Sequence, residues 1–108
     1  MRRGELVPVA LPGDFGKPRP ALIVQSDHFD GHPSVTVLPL TSSLLDAPLV
    51  RITLHPDATN GLRSTSQIMI DKAMTVRRER LGEAFGRLAA DAMLEVERRL
   101  ALFLGIAK

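Results

Sequence analysis

At 108 residues the chain is long enough to bury one hydrophobic core and too short for two, which predicts a single domain over residues 1–108. Its 44% hydrophobic and 24% charged residues are ordinary for a soluble globular protein, and with no run of ~18 apolar residues and no charged-then-apolar leader, the expectation is a cytoplasmic chain without a membrane span. Fourteen Lys and Arg against twelve Asp and Glu leave a net charge of +2, too mild to predict nucleic-acid binding by itself; the absence of Cys removes disulfides and thiolate metal sites, and four Phe with no Tyr or Trp offer no evident stacking platform.

Residues Glu5 to Leu11 alternate loosely around Pro8, which lacks a ladder donor, and read as an edge or bulged strand. Pro12 to Pro18 is dense in turn formers and reads as an irregular loop. It leads into Arg19 to Gln25, the best-supported strand, whose apolar run begins at Ala21. Prolines 18 and 20 confine the backbone of Arg19 to extended geometry and hold it on a rigid base at the strand mouth. Ser26 to Pro33 is polar and turn-rich, with Ser26 or Asp27 able to cap one short helical turn. Ser34 to Leu40 has β-branched alternation with Pro39 near its end, and it releases into the hydroxyl cluster Thr41-Ser42-Ser43.

Leu49 to Leu54 is the fourth strand, with Arg51 and Thr53 on the face opposite Val50, Ile52 and Leu54. Asn60-Gly61 is a turn dipeptide that accepts positive φ. Thr65 to Ile70 is the fifth strand, ending in Asp71-Lys72, and Ala73 to Val76 resumes as strand after a break. Between Arg77 and Leu88, Gly82 and Gly86 cut any helix, so a turn and a short final strand around Glu83 to Phe85 are expected. From Asp91, Met93, Val96, Leu100 and Phe103 or Leu104 recur at helical spacing, with Asp91 as cap and Gly105 as stop. These elements describe a mainly β chain with a C-terminal helix: a small curled sheet or partly open barrel with one amphipathic helix packed on it.

The chemistry in this pattern is sparse. His28, His32 and His55 all fall in predicted loops without metal-ligand spacing, and no nucleophile elbow, P-loop or dinucleotide fingerprint occurs. What remains is polar residues at the ends of different strands: Arg19, Thr41 with Ser42, and Asp71 with Lys72. If those ends converge, a guanidinium fork, a hydroxyl and an ammonium suit a phosphate. Taken one residue at a time, a surface arginine, local hydroxyl turns and a solvated ion pair explain the same letters.

The chain as a whole resembles the MazF/PemK family of toxin–antitoxin endoribonucleases. The likeness runs through Arg3-Gly4-Glu5, Arg19-Pro20-Ala21-Leu22-Ile23-Val24, Pro39-Leu40-Thr41-Ser42, Gly61-Leu62, Arg80-Leu81, Gly86-Arg87-Leu88 and the closing Leu104-Gly105, all in order. No single motif is specific; together and in register they are. The resemblance implies an SH3-like barrel of five to seven short antiparallel strands and a homodimer. It implies cleavage of single-stranded RNA without metal or other cofactor, the ribose 2′-OH attacking phosphorus to leave a 2′,3′-cyclic phosphate and a 5′-OH.

By position, the resemblance makes Arg19 and Thr41 catalytic and matches Asp71 to a carboxylate proposed as base. Because a guanidinium keeps its proton in proteins, an electrostatic role suits Arg19 better than acid–base work. Lys17, Ser42 and Lys72 are the candidate RNA-binding residues. Two departures stand out: Asp71-Lys72-Ala73-Met74-Thr75 replaces the usual Asp-Gln-x-Arg-Thr, and Pro12 to Gly16 is shorter than the family's first loop and lacks its His. A cognate antitoxin is implied as partner, with operator DNA reached through it. The alternative is a CcdB-like toxin that poisons DNA gyrase by binding it without chemistry.

Overall fold

Among the described residues seven strands form, all paired antiparallel, and the longest of them organises the rest. The computed structural model describes residues 2–11 and 17–107. Its strands are β1 (Glu5–Val9), β2 (Arg19–Ile23), β3 (Ser34–Thr41), β4 (Arg51–Leu54), β5 (Ser66–Met69), β6 (Met74–Arg77) and β7 (Gly86–Arg87), followed by helix α1 (Ala90–Phe103). Most of the loop from Pro12 to Pro18 lies outside the described residues. β3 pairs with β2 along one side; along the other it takes β6 over Ser34 to Val37 and then β5 at Leu40 and Thr41. Pro39 falls in the gap between those two partners, where a missing donor breaks no ladder. The strand therefore continues through Pro39, and the sheet turns a corner there.

Alternation then buries both faces of the curled sheet. Leu6, Leu22, Leu38, Leu40, Ile68 and Ile70 form one cluster beneath Val96 of the helix. Val7, Val9, Ala21, Ile23, Val35 and Val37 form the other, closed by Leu81. Pro8 and Pro20 stand opposite each other in the β1–β2 ladder, so neither leaves the other without a donor. A short 3-10 turn, Asp27–Phe29, is capped by Ser26, whose hydroxyl accepts the His28 N–H at 3.1 Å.

Two expectations are corrected. The final strand is Gly86–Arg87 rather than Glu83 to Phe85, because Gly86 is the residue whose backbone can lie against Asn60 while pairing with Leu6. Asp91 is not the helix cap: Ala89 occupies that position without a side-chain bond, and the Asp91 carboxylate accepts the Ala92 N–H at 2.9 Å within the first turn. Phe103 and Leu104 are half or more exposed, since the helix buries Val96 fully and packs Met93 and Leu100, and the core ends before its last turn. The stop at Gly105 is as expected. Its φ is 75°, and the Ile106 and Gly105 amides donate back to Ala101 and Leu102. No helix is long and apolar enough to cross a membrane among the described residues.

Candidate functional site

The site is built by strand register. β2 and β3 pair Ile23 with Val37, Leu22 with Leu38 and Ala21 with Pro39. The ladder stops there because Pro20 has no N–H to offer Leu40. Continued by two residues, the same register sets Arg19 opposite Thr41, on the face that carries Ala21 and Val9. Adjacent strands lie ~4.8 Å apart where they pair, so the last β2–β3 pair brings the two strand ends that carry the guanidinium and the hydroxyl to the same edge. On its other side Thr41 pairs with Gln67, and Gln67 pairs with Thr53. Thr41, Gln67 and Thr53 thus form one polar row across β3, β5 and β4, at one end of the barrel, and Arg19 starts β2 two residues beyond its last pair with β3.

Local chemistry orients the residues at this edge. Arg19 is exposed between Pro18 and Pro20, on a backbone that two rings restrict. The Thr41 hydroxyl is half-buried and accepts the Ser43 N–H at 3.1 Å, a hydroxyl-closed turn. With an acceptor site so used, its proton is directed to donate elsewhere, and no bond from it is made among the described residues. Ser42 follows at the surface. Lys17, also exposed, lies two residues before Arg19. Beside them a groove of about 680 Å³ opens between Pro18, Pro20, Leu62 and Phe85, with Arg63 among its lining residues.

Asp71 and Lys72 do not join this edge within the chain. They occupy a 3-10 turn, Ile70–Lys72, that packs beside α1 between the end of β5 and the start of β6. That turn links Ile68, which pairs with Leu40, to Met74, which pairs with Val37, so it lies beside the middle of β3 rather than at its Thr41 end. The Lys72 ammonium sits 3.2 Å from the Asp71 carboxylate. The physical reason is direction: β5 runs against β3, so the start of β5 meets the end of β3. The three histidines stay apart, in local contacts with Phe29, Ser34 and Thr65.

Sequence reasoning missed Gln67, which is buried in the middle of this row. Its signal is weak: one amide inside Ser66-Gln67-Ile68-Met69-Ile70, an otherwise apolar stretch after Ser66. Only the register reveals that it faces Thr41.

Comparison with known proteins follows this geometry. The family described as a PemK-like, MazF-like toxin of type II toxin–antitoxin systems matches residues 2–104. A probable endoribonuclease MazF of Mycolicibacterium smegmatis is 50% identical over 108 residues, covering 99% of each chain. Among solved structures, a mycobacterial endoribonuclease in complex with its cognate antitoxin superposes with a TM-score of 0.84 at 23% identity, over 100% of this chain and 98% of that one. A MazE–MazF complex from Deinococcus radiodurans gives 0.78 at 26% identity, over 97% and 95%.

Proposed function

The chain belongs to the PemK-like, MazF-like toxins of type II toxin–antitoxin systems, and from that premise we propose that it cuts single-stranded RNA at the strand-end pair Arg19 and Thr41. The observation that supports the assignment is the β2–β3 register, whose last pair, Ala21 with Pro39, lies two residues short of Arg19 on one strand and of Thr41 on the other. In the reaction the ribose 2′-oxygen gives up its proton and bonds to phosphorus, the P–O5′ bond breaks, and the departing 5′-oxygen takes up a proton. Charge accumulates on the non-bridging oxygens as phosphorus becomes five-coordinate. Arg19 meets that charge with a fixed fork of donors, and Thr41 donates its hydroxyl to a non-bridging oxygen. Asp71, in the turn after the end of β5 while Thr41 meets its start, takes no direct part at the same linkage of its own chain. The reading requires cleavage of a long RNA in EDTA, with 2′,3′-cyclic phosphate and 5′-OH ends. Intact RNA together with arrested gyrase would instead support the non-catalytic toxin.

RNA follows the basic edge in this reading. Lys17→Ala is expected to weaken binding several-fold and to reduce the salt slope by ~0.7 for each phosphate that the lysine neutralises in the wild type. Lys72→Ala is expected to do less, because Lys72 is paired with Asp71 and stands away from the pair. A filter-binding salt series on both variants checks the order, and a larger effect at Lys72 would move the RNA path to the helix side.

We assign the partners in the same way. A cognate antitoxin covers the toxin's basic edge, as an acidic segment ordering on contact would. Operator DNA is reached through that antitoxin. A second copy of the chain covers the exposed Phe103, Leu104 and Ile106 at the end of α1, giving a homodimer of single-domain chains.

A further inference from the structure

We propose that Gln67 is a positioning residue for Thr41: it fixes the backbone of the loop after β3 so that the Thr41 hydroxyl donates in one direction. The inference rests on the ribonuclease reading and goes beyond the residues it names. Gln67 is 6% exposed, and an amide this deep needs a partner for each of its donors and lone pairs. It has all four. Its Oε1 accepts the Leu45 N–H and a hydrogen of Arg51 Nη1, each at 3.0 Å. Its Nε2 donates to the Leu45 carbonyl at 3.0 Å and to Thr53 Oγ1 at 3.1 Å. The side chain therefore grips Leu45 at both backbone groups, as a paired strand would.

Arg51 extends the grip toward the site. The same Nη1 donates its other hydrogen to the Ser43 carbonyl at 3.1 Å. Ser43 is the residue whose N–H occupies the Thr41 hydroxyl, at 3.1 Å. A continuous path runs from Gln67 through Arg51 and Ser43 to Thr41 Oγ1, and the ends of that path face each other directly in the β3–β5 ladder. Its partners are loop backbone and β4 side chains on the face away from the helix cluster, so they contribute little to the core under α1. When the loop is released, Ser43 leaves the hydroxyl, and Thr41 donates to the phosphate in only a fraction of its rotamers. Such a loss falls on the transition state rather than on substrate binding.

A double-mutant cycle tests this with Gln67→Met, which keeps length and volume, and Thr41→Val, on a fluorogenic single-stranded RNA. Gln67→Met is expected to lower kcat ~10- to 100-fold with KM within about threefold, and to lower it no further in the Thr41→Val background. Equal losses in both backgrounds, or no loss, would overturn the inference. Amide exchange at Ser43 and Leu45 supplies a readout independent of cleavage: both amides are expected to lose protection in Gln67→Met, and unchanged exchange at Ser43 rejects the path. Should the wild type leave RNA intact, the ribonuclease reading fails while that exchange result still decides the positioning claim. If Gln67→Met does not fold, Arg51→Lys retains the charge and removes the fork, and the same dependence on Thr41 is expected with a smaller loss.

Discussion

Replacing Arg19 with alanine is expected to lower kcat ~10²- to 10³-fold, about 3–4 kcal/mol of transition-state stabilisation, while KM and thermal stability change little. The argument combines position with timing. Arg19 is exposed at the mouth of β2, so its side chain contributes little to either buried cluster. The ground-state phosphodiester carries one negative charge, whereas the five-coordinate state spreads nearly two over oxygens that a planar fork can reach together. A donor held by Pro18 and Pro20 undergoes less reorganisation as that charge develops, which places the loss in kcat. Arg19→Lys keeps the charge and loses the fork, and is expected to recover only part of the rate. Single-turnover cleavage with a melting curve on the same samples checks both halves. A rate within tenfold of wild type would remove Arg19 from the chemistry.

Arg19 and Thr41 could be singled out because both sit at strand ends marked by proline: Arg19 between Pro18 and Pro20, Thr41 two residues after Pro39. The family could be read from ordered motifs as well, and the wider comparison agrees with it. Asp71 and Lys72 were drawn into the same picture by treating every strand end as equivalent. Antiparallel pairing reverses that equivalence: at the edge where β3 finishes, β5 begins, so Thr41 meets Gln67 and not Asp71. Register is a tertiary property, and nothing local in Ser66-Gln67-Ile68 announces it. The end of α1 shows a related limit of pattern. Helical spacing continues to Phe103, but periodicity does not say where the sheet beneath stops, and Leu100 is the last residue packed on the core.

Gly86 was legible as a helix breaker but not for what it does, and Gly86→Ala is expected to be the most destabilising single-methyl change in the fold. The segments around Asn60 and Gly86 touch through their backbones. A Cβ on Gly86 would stand 2.1 Å from the Asn60 carbonyl oxygen, and one on Gly61 would stand 2.4 Å from that of Phe85. Both obstacles are main chain, so no rotamer change relieves them. Asn60 cannot retreat easily: it is buried, its side-chain oxygen Oδ1 accepts the Asp57 and Leu62 amides at 3.1 and 3.0 Å, and its Nδ2 donates to the His55 carbonyl at 2.9 Å. Gly86 is fixed from the other side by its pairing with Leu6 of β1, and the next residue donates its amide to Thr59 at 3.0 Å. Separating the segments would break those bonds and open the cluster at Leu88. A cost of ~3 kcal/mol or more is expected, a large share of the ~5–15 kcal/mol that holds a small domain folded. At ~4–8 °C per kcal/mol the melting temperature should fall by at least ~12 °C. Gly61→Ala should approach the same loss, because its φ of 65° adds strain to the clash. A Gly86→Ala protein melting within a few degrees of wild type would show that the two segments can part without cost.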